Sequence, residues 1–161
     1  MYDVYMTHPA SKEKLNGTVT VWSNSYGTPT GYGVQTEYLI DRLVKHGANT
    51  AMLSNFGHQG QITKLETAHG KIDHFPMGAS PYSQDVAPLD HMTFAARYPQ
   101  KDLLVTLYDV HVLKSPYYDK IDKIASWTPL DHVTMPKNVE AWLHRSNVTP
   151  IAMSPFGKRE M

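Results

Sequence analysis

Polar side chains that can bind or transform a small molecule follow the short apolar runs of this chain. After Thr18–Trp22 (TVTVW) comes a loop of Ser, Asn, Gly, Thr and Pro running to Gly33, with Asn24 near its start. Ser54 and Asn55 close the run TAMLS. Asp109 and His111 follow Leu103–Tyr108 (LLVTLY), and Asp131 and His132 follow the stretch ending at Thr128. Amides can hold hydroxyl groups, and a carboxylate beside an imidazole has the chemistry of a base with its orienting partner. For Asp109 and His111 the competing reading is a turn-capping carboxylate and a solvated histidine. Asp131-His132 repeats the choice, since a turn after Pro129 accounts for it equally well.

Gly31-Tyr32-Gly33 opens directly into a helical pattern, and free N–H groups with the positive end of the helix dipole favour an anion such as phosphate there. A turn that simply needs two glycines explains the same residues. A dinucleotide fingerprint is excluded, because Thr36 stands where a third glycine belongs and no acidic residue ends the second run. That disfavours a nicotinamide-dependent oxidoreductase. A P-loop is excluded too, since no Gly-Lys-Ser/Thr follows Gly27. The histidines His69, His74, His111 and His132 form no HExxH or HxH pattern, so no metal site is assigned. Tyr82–Asp85 lies in a loop long enough to be functional, and Tyr117, Tyr118 and Trp127 offer flat faces for a sugar ring, although core packing explains such aromatics as readily.

These groups converge only if the elements behind them do. Thr18–Trp22 reads as a strand and Val34–Lys45 as an amphipathic helix ended by Gly47. Thr50–Ser54 is a second strand, and Ile62–Thr67 with Lys71–Phe75 flank His69-Gly70 as a hairpin. Val86–Tyr98 has helical spacing closed by Pro99, Leu103–Tyr108 is apolar on both faces as a central parallel strand must be, and Lys123–Thr128 is another strand. Pro136 suits the first turn of a helix to about Arg145, Pro150–Met153 is a last strand, and Ser154 is an N-cap. Strands alternating with helices imply right-handed crossovers and a mostly parallel sheet with helices on both faces, a Rossmann-like three-layer α/β domain spanning 18–161. Residues 1–17 are an extension ahead of it. In such a sheet the ligand crevice lies beyond the carboxyl ends of the strands, which puts Asn24, Gly31–Gly33, Asn55, Asp109, His111 and Asp131 on one rim.

Composition narrows the partners. Lys+Arg and Asp+Glu both number 15, so there is no global attraction to nucleic acid or an acidic membrane. The absence of cysteine rules out disulfides and thiolate chemistry. With no basic-then-apolar leader and no run near the ~18 apolar residues of a membrane span, a cytoplasmic location is expected.

Taken in order, SNSYGTPTGYGVQT, Phe56-Gly57-His58-Gln59-Gly60, PMGASPYSQDV, LVTLYDVHVL, WTPLDHVTMPKNV and PIAMSPFGKREM resemble the N-terminal half of a family 4, GT-B type glycosyltransferase over about 140 residues. The resemblance implies two facing Rossmann-like domains, the N-terminal one holding the acceptor and the C-terminal one the nucleotide-sugar donor. It implies transfer to an acceptor hydroxyl of a glycan, lipid or other molecule, with retention and with no metal ion or cofactor. Gly31, Tyr32 and Gly33 would then lie beside the donor phosphates or transferred sugar. Asp109 and His111 would stand on the acceptor side in the catalytic position, and Asn24, Asn55, Tyr82, Asp131 and His132 would line the cleft. Many members carry histidine where Asp109 aligns. The E-x7-E pair of the donor domain is not in this sequence, so the resemblance implies that the second half lies in a missing domain or another chain. The rival expectation is a non-catalytic Rossmann-like module that holds a sugar or nucleotide.

Overall fold

A computed structural model describes residues 14–161; most of the expected extension, 1–13, lies outside the described residues. Seven strands form one sheet: β1 (Thr18–Asn24), β2 (Asn49–Phe56), β3 (Thr63–Thr67), β4 (Gly70–Phe75), β5 (Asp102–Leu107), β6 (Ile124–Thr128) and β7 (Val148–Ala152). Their order is β3-β4-β2-β1-β5-β6-β7, and every pairing is parallel except the β3–β4 hairpin. Counted without β3, the parallel strands run 3-2-1-4-5-6, the doubly wound Rossmann order. The chain leaves β1 toward one edge and, through β5, toward the other, so the order reverses between β1 and β5.

Among the described residues four helices cover the sheet: α1 (Gly31–Lys45), α2 (Ala87–Ala95), α3 (Lys137–Leu143) and α4 (Pro155–Glu160). Alternation along β1 divides two cores. Val19 and Val21 pack with Ile40, Met52 and Val105 on the α1 face, whereas Trp22 packs with Leu53, Phe94, Leu104 and Trp142 on the face of α2 and α3. Thr20 and Ser23 are also fully buried, which makes β1 inaccessible on both faces, as a central parallel strand requires.

Most expected elements are present, with shifted ends. Helix α1 begins three residues before Val34 because Thr30 caps it, its side-chain oxygen accepting from Gly33 N–H at 3.0 Å. The hairpin turns through Gly70 at φ 146, a left-handed value glycine adopts without a Cβ clash. Ser154 caps α4 through Gly157 N–H at 3.0 Å. Pro136 is the N-cap of α3 rather than a residue of its first turn. Where a helix would cross from β5 to β6 there are only two 3₁₀ turns, Val110–Val112 and Pro116–Lys120, so the rim past β5 is built of tight loops. Pro150, which lacks an N–H, sits in edge strand β7.

Candidate functional site

The reversal between β1 and β5 leaves a crevice at their carboxyl ends, because the connections from the two strands run to opposite sides. An amide ladder crosses it. Asn55, at the end of β2, donates from Nδ2 to Asn24 Oδ1 at 3.2 Å, and Asn24 donates in turn to Thr30 Oγ1 at 3.0 Å. The same oxygen caps α1, so strand ends and helix start form one polar unit. Both asparagines are buried, and their bonding to each other offsets the cost of removing amides from water.

Gly33 is required by this unit. A Cβ there would lie 2.2 Å from the Thr28 carbonyl oxygen and 3.0 Å from Thr28 Cβ. The glycine therefore lets α1 pack against its own leading loop, a requirement for glycine that involves no ligand. Gly31, by contrast, has open space beyond it and is exposed. The first-turn N–H groups of Gly31 and Tyr32 have no acceptor within the helix.

Tyr32 reaches across the crevice, its hydroxyl donating to Asp109 Oδ2 at 3.0 Å. Burial, and then the Asp109 charge, raise the Tyr32 phenol far above its ordinary range, so it stays protonated and remains a donor. Asp109 begins the Val110–Val112 turn but makes no side-chain capping bond, so its carboxylate is held from across the crevice rather than spent on its own turn. Tyr108 completes the wall. Its ring lies 4.7 Å from Tyr32, 5.9 Å from Tyr82 and 5.6 Å from Trp22, the last edge-on. Burial raises the Tyr108 phenol, while a hydrogen bond from Asn55 opposes the shift.

Tyr82 arrives there on a strained backbone. Tyr82 and Ser83 have φ of 58° and 50°, left-handed values that cost non-glycine residues energy. The surrounding loop enforces them. Ser83 Oγ donates to Ser54 O at 3.1 Å and accepts from Gly78 N–H at 3.0 Å. Asp85 accepts from the N–H groups of Ala79 and Ser80, and Gln84 Oε1 accepts from those of Lys114 and Ser115. The exposed Tyr82 ring is thus presented by a loop tied to the end of β2 and to the segment between the two 3₁₀ turns.

Beside the ladder, His74 Nε2 lies 2.7 Å from Ser25 Oγ and 2.9 Å from Ser54 Oγ. The ring stacks on His58 at 3.9 Å. Burial, and secondarily the neighbouring His58, push the His74 pKa down to about 4, which leaves a neutral imidazole. Nothing in the local sequence distinguished this histidine from the other eight.

Asn24, Tyr32, Asn55, Tyr82 and Asp109 are therefore gathered by these contacts at the carboxyl ends of β1, β2 and β5, with Gly31 exposed one residue before Tyr32, and Asp131 lies near enough for its charge to raise the Tyr32 phenol as well. Asp131 and His132 are both exposed, paired with each other at 3.4 Å. His111 goes elsewhere: it lines a groove between the Val110–Val112 turn and α3 in which Asp109 has no part. The Asp109–His111 partnership is not formed, because the tight turn sends the two side chains to different surfaces. Tyr118 is fully buried and offers no face to a ligand, while Tyr117 is exposed and Trp127 half-buried. Tyr108 and Thr30 were not singled out by the sequence. Their signals were the position just past an apolar strand and the N-cap position three residues before Gly33.

Fold and rim define a Rossmann-like α/β domain with a polar and aromatic crevice at its topological switch point. No family model, no curated protein and no solved structure matches the chain. Among the described residues, no helix is long and apolar enough to cross a membrane.

Proposed function

We propose that the domain is the acceptor-side half of a nucleotide-sugar-dependent glycosyltransferase, transferring a sugar to an acceptor hydroxyl with retention. The observation that carries this reading is the Asp109 carboxylate, held by Tyr32 beside the tyrosine faces of Tyr82 and Tyr108. A sugar ring presents apolar C–H faces and a rim of hydroxyls, so flat aromatic walls with a fixed carboxylate and amides match both aspects. Asp109 accepts a hydrogen bond from the acceptor hydroxyl and orients it toward the anomeric carbon. A bond forms from that oxygen to the anomeric carbon, the bond to the donor phosphate breaks, and the departing phosphate takes the proton. Positioning is then the main contribution of this chain. The donor is gripped by a second domain, contributed by a longer chain or a partner.

One observation favours the rival reading, a sugar-binding module without chemistry: among the described residues Asp109 has no imidazole partner, since His111 lines the α3 groove. Titration of the isotope-labelled chain with neutral saccharides and with nucleotide-sugars tests the common part. Saccharides should bind with Kd of about 1 mM or tighter and shift Tyr82, Tyr108 and Asp109, and Asp109→Ala should abolish this. Nucleotide-sugars should bind the isolated domain weakly. Micromolar nucleotide-sugar binding with no saccharide binding overturns the proposal. Transfer on adding a complementary donor domain separates the enzyme from the module.

A further inference from the structure

We infer that the groove beside the Asp109 crevice holds an anionic substituent of the saccharide acceptor, a phosphate or carboxylate; this rests on the acceptor-side reading above. The groove lies between the Val110–Val112 turn and α3 and has a volume of about 370 Å³, room for one charged ring or substituent. Its titratable lining is His111, Lys114 and Arg145, with no carboxylate in the lining among the described residues. Over the whole chain acidic and basic residues balance, 15 against 15, so this local excess is not the chain's general character.

The Arg145 side chain and the Lys114 backbone are held in place. The Arg145 guanidinium lies over the Trp142 ring, 4.8 Å from its centroid, and Asp119 grips it through Nη2 from outside the groove. Trp142 is itself fixed by a hydrogen bond from Nε1 to Ser126 Oγ at 3.1 Å. One edge of a planar, pre-positioned fork thus remains for a ligand, the geometry that suits phosphate and carboxylate. Lys114 has its backbone N–H clamped by Gln84 Oε1 at 2.7 Å, while its ammonium has no carboxylate partner among the described residues. Gln84 also belongs to the loop that presents Tyr82, so one side chain sets the spacing between the aromatic wall and the cationic groove. Gln84 is thus the link between the two surfaces, since it bonds the groove residue Lys114 and stands two positions after Tyr82, which lies against Tyr108. A neutral sugar can accept hydrogen bonds from these side chains but lacks the charge pairing that an anionic substituent adds.

The test is a set of NMR titrations of the full chain with glucose, glucose 6-phosphate, glucuronic acid and inorganic phosphate. Glucose 6-phosphate or glucuronic acid should bind about tenfold or more tightly than glucose and shift the Lys114 amide and Trp142 indole N–H. The comparison between those two ligands tells phosphate from carboxylate. The advantage should shrink as salt rises from about 0.02 to about 0.3 M. Lys114→Ala, an exposed change, should remove most of it, as should Arg145→Gln, while glucose binding persists in both. Equal binding of charged and neutral sugars, or shifts confined to Gly31–Gly33, overturns the inference and leaves the acceptor-side reading standing. Inorganic phosphate shifting Lys114 and Trp142 while no sugar binds anywhere upholds the groove as an anion site and overturns the reading it was built on. No response to any of the four ligands overturns both.

Discussion

Two constellations, each pairing a hydroxyl residue with an aspartate, lie toward opposite ends of β1 and β5. Near the amino end, Thr20 Oγ1 sits 2.7 Å from His91 Nδ1, and His91 Nε2 sits 2.9 Å from Asp102 Oδ2. By type and distance this is a hydroxyl, a base and an orienting carboxylate. Thr20 is wholly buried and His91 is 1% exposed, so no substrate reaches the hydroxyl. Burial lowers the His91 pKa, with Asp102 pulling the other way, and the trio serves to bolt α2 to β1 and β5. At the carboxyl end Tyr32 and Asp109 make one hydrogen bond beside an open aromatic wall. The difference is access: strand middles are covered by helices, whereas the carboxyl rim at the switch point is left uncovered.

Breaking the inner constellation should cost most. His91→Ala removes a buried ring and strands the Thr20 hydroxyl, so unfolding free energy should drop by about 3 kcal/mol, read from urea midpoints. Saccharide binding per folded molecule should not change; if it is lost in a folded variant, the inner trio belongs to the site and the contrast fails.

Acid should act almost as strongly through His74. Its folded pKa of about 4 lies below the 6.5 of the unfolded chain, so the unfolded state binds more protons between them. Stability contributed by the neutral ring is present above pH 6.5 and is lost as pH falls through 4, by roughly 3 kcal/mol. Asp90 opposes part of this, because burial and then Asp85 raise its carboxyl to about 6, giving the folded state the extra proton between 4 and 6. His74→Gln should flatten the decline in denaturation midpoints across pH 4 to 6.5, whereas an unchanged profile assigns the acid sensitivity elsewhere.

Gly33→Val should destabilise by about 2 kcal/mol or more, since the Thr28 carbonyl accepts from the N–H of the cap residue Thr30 at 2.7 Å and cannot move without disturbing it. Gly31→Ala, facing open space, should stay within about 0.5 kcal/mol, and equal melting of the two variants would show that the loop yields.

Asp109→Asn should weaken saccharide binding about tenfold while changing stability by less than about 1 kcal/mol. The Tyr32 phenol should titrate at lower pH in that variant and still above an ordinary tyrosine, because burial, the larger cause, remains. Full binding with a lowered midpoint would make Asp109 a structural residue. The smallest effect belongs to Tyr82→Gly. Relief of the left-handed strain and loss of the Tyr108 contact should nearly cancel in stability, with saccharide affinity falling about threefold to tenfold. Unchanged affinity removes this ring from the wall.

Local sequence determined the strands, the helices, the caps at Ser154 and Gly47, and the Gly70 hairpin, because each depends on side-chain periodicity or on φ preferences within a few residues. Alternation of strand and helix was enough to place Asn24, Asn55 and Asp109 on one rim. Tertiary structure alone decided which rim residues meet. Tyr32 is 77 positions from Asp109, and His74 lies 49 from Ser25 and 20 from Ser54, so these contacts depend on strand order and register. It also decided that Gly33 packs on Thr28, and that Asp109 and His111, two residues apart, serve different surfaces. A 3₁₀ turn rotates successive side chains by about a third of a circle, so closeness in sequence at a turn does not set the direction in which a side chain faces.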